Sequence, residues 1–489
     1  MATLAEAKPA IRIDPAAVDD SAAIGRLRES LALQKAAVRR APCPPMAERI
    51  AHLQALIGMM AANRQKIRAA LLADFASHPA QFTDVIEVAS VMGRAQMSID
   101  NLPRWMAPEP RETDALFGDC RAYMQPQPKG VVGNMVPWNL PFELGCGPLT
   151  EMLAAGNRVI LKPSEFTPAC ADLLEEMIAA TFDRDHVTVA VGGVDLARAF
   201  TQQPWDHLLY TGSTPVGRKV MAAAAENLVP VTLELGGKCP TVVTRSGMSE
   251  RTLQSILGMK LVKNGQVCVS VDHVLVPGGQ MDEFVALAQA QYRGGLAGHS
   301  RSDDCTGIIT ERHLDRIVGL IDEARASGAR VLPLDDGGVD RTRRSVPLTL
   351  VVDPSPGLSV MTDEIFGPVM PVIPYDDIDQ AIDWINGLER PLCINVYGED
   401  EGEIDKVVGN TFSGGVTVNG AALSGACTSL GFGGIGQSGM GRHHGVEGFR
   451  EFSNNRAVFV RGREDGTAGI FPPFGAQTDA MVKAVFGES

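Results

Sequence analysis

The chain has 489 residues, 45% of them hydrophobic and 21% charged, which is a globular composition long enough for two or three domains. The formal net charge of −14 and the lack of a long basic run argue against a nucleic-acid-binding surface, and nine scattered cysteines fit neither a disulfide framework nor a zinc site. We find no N-terminal signal peptide and no apolar stretch long enough to span a membrane, and therefore predict a soluble, reduced, cytoplasmic protein that binds neither metal nor membrane.

The first part of the chain is predicted to be helical. Apolar residues recur at helical spacing over 24–38 and 50–60, and a third helix is expected from about 81 to Pro103. Residues 105–129 are rich in proline and charge, which favours an excursion from the domain, such as a β-hairpin.

From residue 130 the hydrophobic pattern changes to strands that alternate with helices. The predicted strands are 130–136, 157–162, 187–193, 207–212 and 229–235. The helical stretches between them indicate βαβ units and a parallel sheet that is covered on both faces. Such sheets bind nucleotides at the carboxyl ends of their strands. After Gly237 a similar alternation up to about residue 423 predicts a second α/β domain.

Two motifs at the ends of these strands have features of a dinucleotide site. Gly212 and Ser213 follow a strand and open a helix, where backbone N–H groups could approach a pyrophosphate, although the spacing is not the usual G-x-G-x-x-G. Lys162 and Glu165, in LKPSE, could hydrogen-bond ribose hydroxyls. A plain glycine turn and a solvated turn with a helix cap account for these two motifs equally well.

A thiol and a carboxylate stand at two further junctions between strands and loops. Cys268 lies between an Asn-Gly turn signal and an apolar strand, and Glu234 ends a strand 34 residues upstream. These residue types suggest covalent catalysis followed by activation of water. A cysteine between valines is more often a buried core residue, so Cys268 alone does not decide the function.

Seven motifs occur in the order and spacing of the aldehyde dehydrogenase superfamily, which the chain resembles from about residue 20 to 461. They are PWNLPF (137–142), LKPSE (161–165), YTGST (210–214), LELGGK (233–238), GQVC (265–268), EIFGP (364–368) and LGFGGIGQSGMG (430–441). The chain is most similar to the class-3-like branch and, within it, to the bacterial coniferyl aldehyde dehydrogenases. Two positions depart from the common pattern, namely Gly431, where many relatives have proline, and Cys393, where alanine is common.

The resemblance implies an α/β fold with a Rossmann-like cofactor domain, a second α/β catalytic domain and a small β element that bridges subunits. The cofactor domain would contain residues 1–104, 128–235 and 424–452, the catalytic domain residues 236–423, and the bridging element and tail residues 105–127 and 453–489. Because class-3-like relatives suggest a dimer, a homodimer is expected.

The resemblance also assigns catalytic roles. Cys268 would add to the aldehyde carbonyl to give a thiohemiacetal, and hydride transfer to the nicotinamide would leave a thioester. Glu234 would be the general base for the thiol and for the hydrolytic water, and Asn139 would stabilise the oxyanion together with the backbone N–H of Cys268. The product would therefore be the free carboxylic acid.

Residues around the cofactor and the substrate follow from the same motifs. The cofactor-binding residues would be Lys162, Glu165, Gly212, Ser213, Gly236, Glu364, Phe366, Pro137 and Trp138. Because Glu165 would repel a 2′-phosphate and Lys162 would offset part of that repulsion, we expect NAD to be preferred and NADP to be possible.

The substrate tunnel would be lined by Leu140, Leu144, Gly147, Val269 and Phe432. Gly147 stands where other branches have a bulky side chain, so we expect a wide apolar tunnel. Such a tunnel favours aromatic aldehydes, such as coniferyl aldehyde, or medium-chain aldehydes over acetaldehyde and charged semialdehydes.

Two other functions are alternatives. A cofactor-independent cysteine hydrolase could use Cys268 and Glu234, but it gives no reason for the alternating sheet or for Lys162 and Glu165. A catalytically silent structural relative is disfavoured because Cys268, Glu234 and Asn139 are all present. The adjacent His443 and His444 are predicted to lie in a glycine-rich loop as satisfied or solvated side chains without a metal role.

Overall fold

The computed structural model describes residues 19–463 and 467–487. No signal peptide is predicted at the N-terminus, and this prediction falls on residues 1–18, which lie outside the described residues. Within the described part, every helix is too short or too polar to cross a lipid bilayer.

The strands of the described residues are numbered in chain order. They are β1 (Glu109–Arg111), β2 (Arg121–Pro128), β3 (Val131–Met135), β4 (Arg158–Lys162), β5 (Val187–Val189), β6 (His207–Gly212), β7 (Val231–Leu235), β8 (Pro240–Val243), β9 (His273–Pro277), β10 (Arg330–Pro333), β11 (Thr349–Val352), β12 (Val369–Tyr375), β13 (Cys393–Tyr397), β14 (Gly415–Val418), β15 (Gly439–Met440) and β16 (Ser453–Val460).

The α-helices of the same residues are numbered in the same way. They are α1 (Ser21–Arg40), α2 (Met46–Phe75), α3 (Ala80–Phe82), α4 (Ser90–Trp105), α5 (Glu143–Ala155), α6 (Pro168–Thr181), α7 (Val194–Thr201), α8 (Thr214–Ala225), α9 (Glu250–Leu261), α10 (Met281–Gly295), α11 (Glu311–Ala326), α12 (Ser359–Thr362), α13 (Ile378–Gly387), α14 (Glu401–Asn410), α15 (Leu423–Ala426), α16 (Gly445–Glu451) and α17 (Ala476–Phe486). A π-helical segment, Thr83–Ala89, joins α3 to α4.

The strands form three sheets. The first has six strands in the order β15-β7-β6-β3-β4-β5, all parallel except the edge strand β15. Helices α2, α4, α5 and α6 pack on one of its faces, and α1, α7 and α8 pack on the other. The sheet predicted from the alternating pattern is therefore confirmed, and both faces are buried as the apolar strands require.

The second sheet has seven strands in the order β10-β11-β12-β9-β8-β13-β14, parallel except for β10. Its two faces contribute to two separate hydrophobic clusters, one with α11, α13 and α14 and the other with α9 and α10. The third sheet, β1-β2-β16, is antiparallel, and β16 pairs with β2 along its whole length.

Several predicted elements differ from the structure at their ends; the strand predicted over 229–235, for example, begins at Val231. The strand predicted over 187–193 stops at Val189, because the carboxylate of Asp20 accepts hydrogen bonds from the N–H groups of Gly193 and Leu196, both at 2.8 Å, and so holds the first turn of α7. The helix expected to end near Pro103 continues to Trp105 with that proline inside it.

Candidate active site

The predicted cofactor and catalytic residues of the first half lie at one edge of the six-stranded sheet. Strand β3 leads into Pro137, Trp138 and Asn139, β4 ends at Lys162, β6 ends at Gly212, and β7 ends one residue after Glu234. Because carboxyl ends of parallel strands meet at the same edge, the chain brings these residues together.

Cys268 lies on a loop that precedes β9 in the seven-stranded sheet. The residue is half-buried, and its neighbours Val267 and Val269 are buried. The loop reaches Asn139, whose side-chain Nδ2 donates to the backbone carbonyl of Gln266 at 3.1 Å. A side-chain amide carries two N–H donors, so Asn139 can serve a second acceptor beside the cysteine.

The thiol of Cys268 is held in its protonated form. Burial raises the pKa of this thiol, and the neighbouring carboxylates of Glu364, Glu234 and Glu143 raise the pKa further. A thiolate is a much better nucleophile than a thiol, so an attack by this cysteine would need a base or a change in its surroundings.

Glu234 is more deeply buried than the sequence indicates, with 2% of its surface exposed. Burial raises the pKa of this carboxyl group well above its ordinary value, and Arg442 offsets only part of the shift. Among the described residues neither carboxylate oxygen has a hydrogen-bond partner. A buried carboxyl group without partners is suited to accept a proton once water or substrate stands beside it.

Glu364 and Phe366 line a small cavity of about 10 Å³ together with Cys268 and Gly237. Burial raises the pKa of Glu364 to about 7, although a hydrogen bond from the backbone of Gly237 lowers it. A Cβ on Gly236 would overlap the Glu364 carboxylate, so a larger residue at this position would displace that side chain.

The remaining predicted cofactor residues form contacts compatible with a dinucleotide. Lys162 Nζ and Glu165 Oε2 pair at 2.9 Å. Ser213 precedes α8 and makes no side-chain cap. Pro215 has no N–H, and the N–H groups of Val216 and Gly217 donate to the Ser213 carbonyl at 3.1 and 2.9 Å, so the start of α8 offers an anion fewer donors than the sequence suggests. The ring of Trp138 packs edge-on against Phe366 with their centroids 5.3 Å apart. These groups fit the phosphate, ribose and ring of such a cofactor.

The predicted tunnel residues divide into two groups. Leu140 and Leu144 belong to the core around α4 and α5, whereas Val269 and Phe432 pack with Cys268. A cleft of about 440 Å³ opens beside Val269 and Phe432, and both departures from the family pattern, Cys393 and Gly431, line it.

The expectation of open space at Gly147 is wrong. A Cβ at this position would overlap Nη1 of Arg94 and lie 2.8 Å from Oε1 of Glu143. Arg94 pairs at 2.7 Å with Glu143 and also with Glu151, and its side chain is almost fully buried. The space that a side chain at position 147 would occupy is therefore filled by the Arg94–Glu143 pair. The absence of a side chain on Gly147 does not widen the tunnel.

The histidines of the glycine-rich loop, predicted to be satisfied or solvated, are buried, and Nδ1 of His443 lies 3.3 Å from Nη2 of Arg94. Phe432 packs against both rings at centroid distances of 5.1 and 5.4 Å. Nε2 of His443 and Nδ1 of His444 have no hydrogen-bond partner among the described residues.

Three charged groups near the cavity are absent from the sequence-based set. Lys260 lines the cavity, donates to the Val271 carbonyl at 2.7 Å, and has its pKa lowered to about 8 by burial. Lys238 pairs with Asp272 at 2.5 Å. Lys260 lies on the apolar face of helix α9, and a charged residue at such a position is the sequence signal that could have revealed it.

Residues 26–458 match the aldehyde dehydrogenase family. The chain belongs to this family. It is 42% identical to a probable coniferyl aldehyde dehydrogenase of Caulobacter vibrioides, with 92% of this chain and 94% of that protein covered. It is 39% identical to the coniferyl aldehyde dehydrogenase of a Pseudomonas species, with 90% of each chain covered. It is 36% identical to the dimeric, NADP-preferring aldehyde dehydrogenase of Mus musculus, with 88% and 94% covered.

The fold is similar to those of solved aldehyde dehydrogenases. The substrate-bound structure of AldH from Staphylococcus aureus aligns with a TM-score of 0.88 at 28% identity, covering 94% of this chain and 99% of that one. The predicted family and α/β fold are thereby confirmed. The protein is an aldehyde dehydrogenase that oxidises an aldehyde with NAD(P), and the cofactor-independent hydrolase is left without support.

Proposed function

We propose that this aldehyde dehydrogenase acts through a covalent adduct on Cys268, with Asn139 and Glu234 as the groups that assist it. The observation that carries this assignment is the 3.1 Å hydrogen bond from Asn139 Nδ2 to the carbonyl of Gln266, which brings the amide to the loop of the nucleophile. Support also comes from Glu234, a buried carboxyl group that has no hydrogen-bond partner among the described residues and lies at the same edge of the six-stranded sheet as Asn139.

The chain's own groups account for each step. The Cys268 thiolate adds to the aldehyde carbon, and the second N–H of Asn139 together with the backbone N–H of Cys268 stabilises the oxyanion. The dinucleotide, when bound, supplies the acceptor for the hydride that leaves this carbon. Water then hydrolyses the thioester on Cys268, and Glu234 takes a proton from that water, giving the free acid.

The proposed cofactor is NAD, with NADP accepted less well. Glu165 would accept hydrogen bonds from the adenosine ribose and repel a 2′-phosphate. Lys162, 2.9 Å from that carboxylate, offsets part of the repulsion. The other groups proposed to hold the cofactor are Gly212, Ser213, Gly236, Glu364, Phe366, Pro137 and Trp138.

The proposed substrate is an aromatic aldehyde such as coniferyl aldehyde, or a medium-chain aliphatic one. Relatives about 40% identical are named for coniferyl aldehyde, and Leu140, Leu144, Val269 and Phe432 are apolar. A kcat/KM for succinic semialdehyde above that for cinnamyl-type aldehydes would contradict this choice.

We also propose a homodimer joined through the sheet β1-β2-β16, with residues 1–104, 128–235 and 424–452 as the cofactor domain and 236–423 as the catalytic domain. The sheet supports the dimer, because β1 and most of β16 are exposed and β2 is only half-buried within one chain. The mass in solution, measured by light scattering, tests the dimer, and a monomer would overturn it.

The decisive experiment for the proposed roles is a panel of aldehydes with NAD, in which the reduced cofactor is followed. Cys268→Ala is expected to abolish turnover, while Cys120→Ala, at a cysteine of the β1-β2 connection, is expected to leave it unchanged. Normal turnover of Cys268→Ala would overturn the assignment of the nucleophile.

A further inference from the structure

A buried ion pair connects the two loops that carry Cys268 and Asn139. Lys263 Nζ lies 3.1 Å from Glu87 Oε1, and both side chains have 0% of their surface exposed. Lys263 stands five residues before Cys268, and Glu87 lies in the π-helical segment Thr83–Ala89. Neither residue has a role in the chemistry described above.

The second oxygen of Glu87 holds the start of α5. Glu87 Oε2 accepts hydrogen bonds from the backbone N–H of Phe142 at 3.0 Å and of Glu143 at 2.9 Å. Asn139 stands three residues before Phe142. One carboxylate therefore binds the segment of Asn139 through one oxygen and the segment of Cys268 through the other.

The backbone between Lys263 and Cys268 needs such support. Lys263 and Asn264 have φ values of 49° and 55°, a left-handed conformation that side chains with a Cβ rarely adopt, and Gly265 follows at 78°. Strained backbone of this kind persists where the surrounding contacts fix it. The Lys263 ammonium group, with the Phe75 ring 4.3 Å away, is such a contact.

The contacts close into a ring. Gln266 Nε2 donates to the backbone carbonyl of Lys263 at 3.0 Å, and the carbonyl of Gln266 accepts from Asn139 at 3.1 Å. From Asn139 the chain returns to Phe142 and so to Glu87. A change in the Glu87–Lys263 contact must therefore alter the placement of Asn139 against the Cys268 loop.

We propose that Glu87 and Lys263 form a positioning pair that sets the Asn139 amide against the Cys268 loop. The proposal rests on the oxyanion role proposed for Asn139. Removal of the pair deletes no reacting group but misaligns two of them. The loss therefore falls on kcat, while the KM for NAD, which other residues determine, stays the same.

The test uses Glu87→Gln and Lys263→Met, each made in the parent enzyme and in Asn139→Ala. In the parent, kcat is expected to fall roughly ten- to hundredfold. The value of kcat is expressed per active site, and the number of active sites is taken from the burst of reduced cofactor in the first turnover. In Asn139→Ala the same substitutions are expected to change kcat less than about twofold, since the amide that they misplace is already absent.

A matched control separates positioning from stability. Asp335 is a buried carboxylate that accepts from the N–H of Ser300 at 3.3 Å and pairs with Arg301 at 3.5 Å, away from both loops. Asp335→Asn is expected to lower thermal stability with kcat per active site unchanged in both backgrounds.

The outcomes are distinguishable. Equal losses in the parent and in Asn139→Ala, or no loss in the parent, would overturn the positioning pair alone. Full kcat in Asn139→Ala by itself would overturn the proposed role of Asn139. Should Glu87→Gln not fold, Lys263→Met and the double variant, which buries no unpaired charge, give the same comparison.

Discussion

Glu234 lies opposite Gly439 in the antiparallel pairing of β7 with β15. A Cβ at Gly439 would overlap the backbone of Leu233, so the edge strand approaches β7 more closely than another residue would allow. The Glu234 side chain is buried beside this close pairing, and its burial raises the pKa of the carboxyl group.

Glu234→Gln is expected to stop the reaction after one turnover. The amide keeps the shape of the side chain and cannot take a proton from water, so deacylation should slow by about 10²- to 10⁴-fold. Rapid mixing with NAD and an aldehyde, followed by intact mass measurement, should show an acyl adduct on Cys268. Steady turnover at the parent rate would require a different base.

Glu364→Gln is expected to make the Cys268 thiol more reactive. After burial, the Glu364 charge is the largest cause of the raised thiol pKa, so its removal lowers that pKa and increases the thiolate fraction. Alkylation by iodoacetamide without cofactor should be severalfold faster at about pH 8.

The pH dependence of this effect has a defined sign. Because the pKa of Glu364 is about 7, the parent carboxyl group is itself neutral in more acidic solution, and the two alkylation rates should converge there. Glu176→Gln, on the exposed side of α6, is the control and should match the parent at every pH. Identical profiles for Glu364→Gln and the parent would show that this carboxylate does not act on the thiol.

Glu165→Gln is expected to narrow the preference for NAD over NADP. The substitution removes the charge that repels a 2′-phosphate and leaves Lys162 to attract it, so kcat/KM for NADP should rise relative to that for NAD. The ratio of the two values is the measurement, again with Glu176→Gln as the control. If the ratio does not move, Glu165 does not face the ribose.

Gly147→Ala is expected to destabilise the protein. Alanine favours helix over glycine by about 1 kcal/mol, but its Cβ would displace Arg94 from Glu143, and a disturbed buried pair costs about 3–5 kcal/mol. Urea unfolding measures the difference. Gly58→Ala is the matched control, because Gly58 is exposed on α2 with nothing near its missing Cβ, and it should stabilise slightly. A stable Gly147→Ala variant would mean that the space at Gly147 is open.

The sequence predicts what local patterns encode. The alternation of apolar strands and helices indicates a parallel sheet, and motifs at strand ends place Lys162, Gly212 and Glu234 at one edge of it. The pairs that lie far apart in the chain are not encoded locally. Nothing near Gly147 indicates that Arg94 fills its volume, and nothing near Lys263 indicates Glu87, since each contact depends on how α4 and the π-helical segment pack on α5.

The burial of charge is likewise a property of the folded chain. Glu234 in VTLEL alternates with apolar residues as a surface position of a strand would, yet it is buried in the folded chain, where β15 pairs with β7. The same holds for His443 and His444, whose glycine-rich surroundings do not distinguish satisfied from solvated side chains. Their burial follows from the packing of Phe432 against both rings.

The pairing of β16 with β2 has a consequence for synthesis of the chain. Strand β2 leaves the ribosome long before residues 453–460 do, so one edge of the β1-β2 hairpin stays open while most of the protein is made. An open strand edge invites pairing with other chains. Pro126 and Pro128 lack a backbone N–H on β2. Until β16 has been synthesised, the hairpin therefore offers strands of other chains an incomplete set of backbone hydrogen-bond donors.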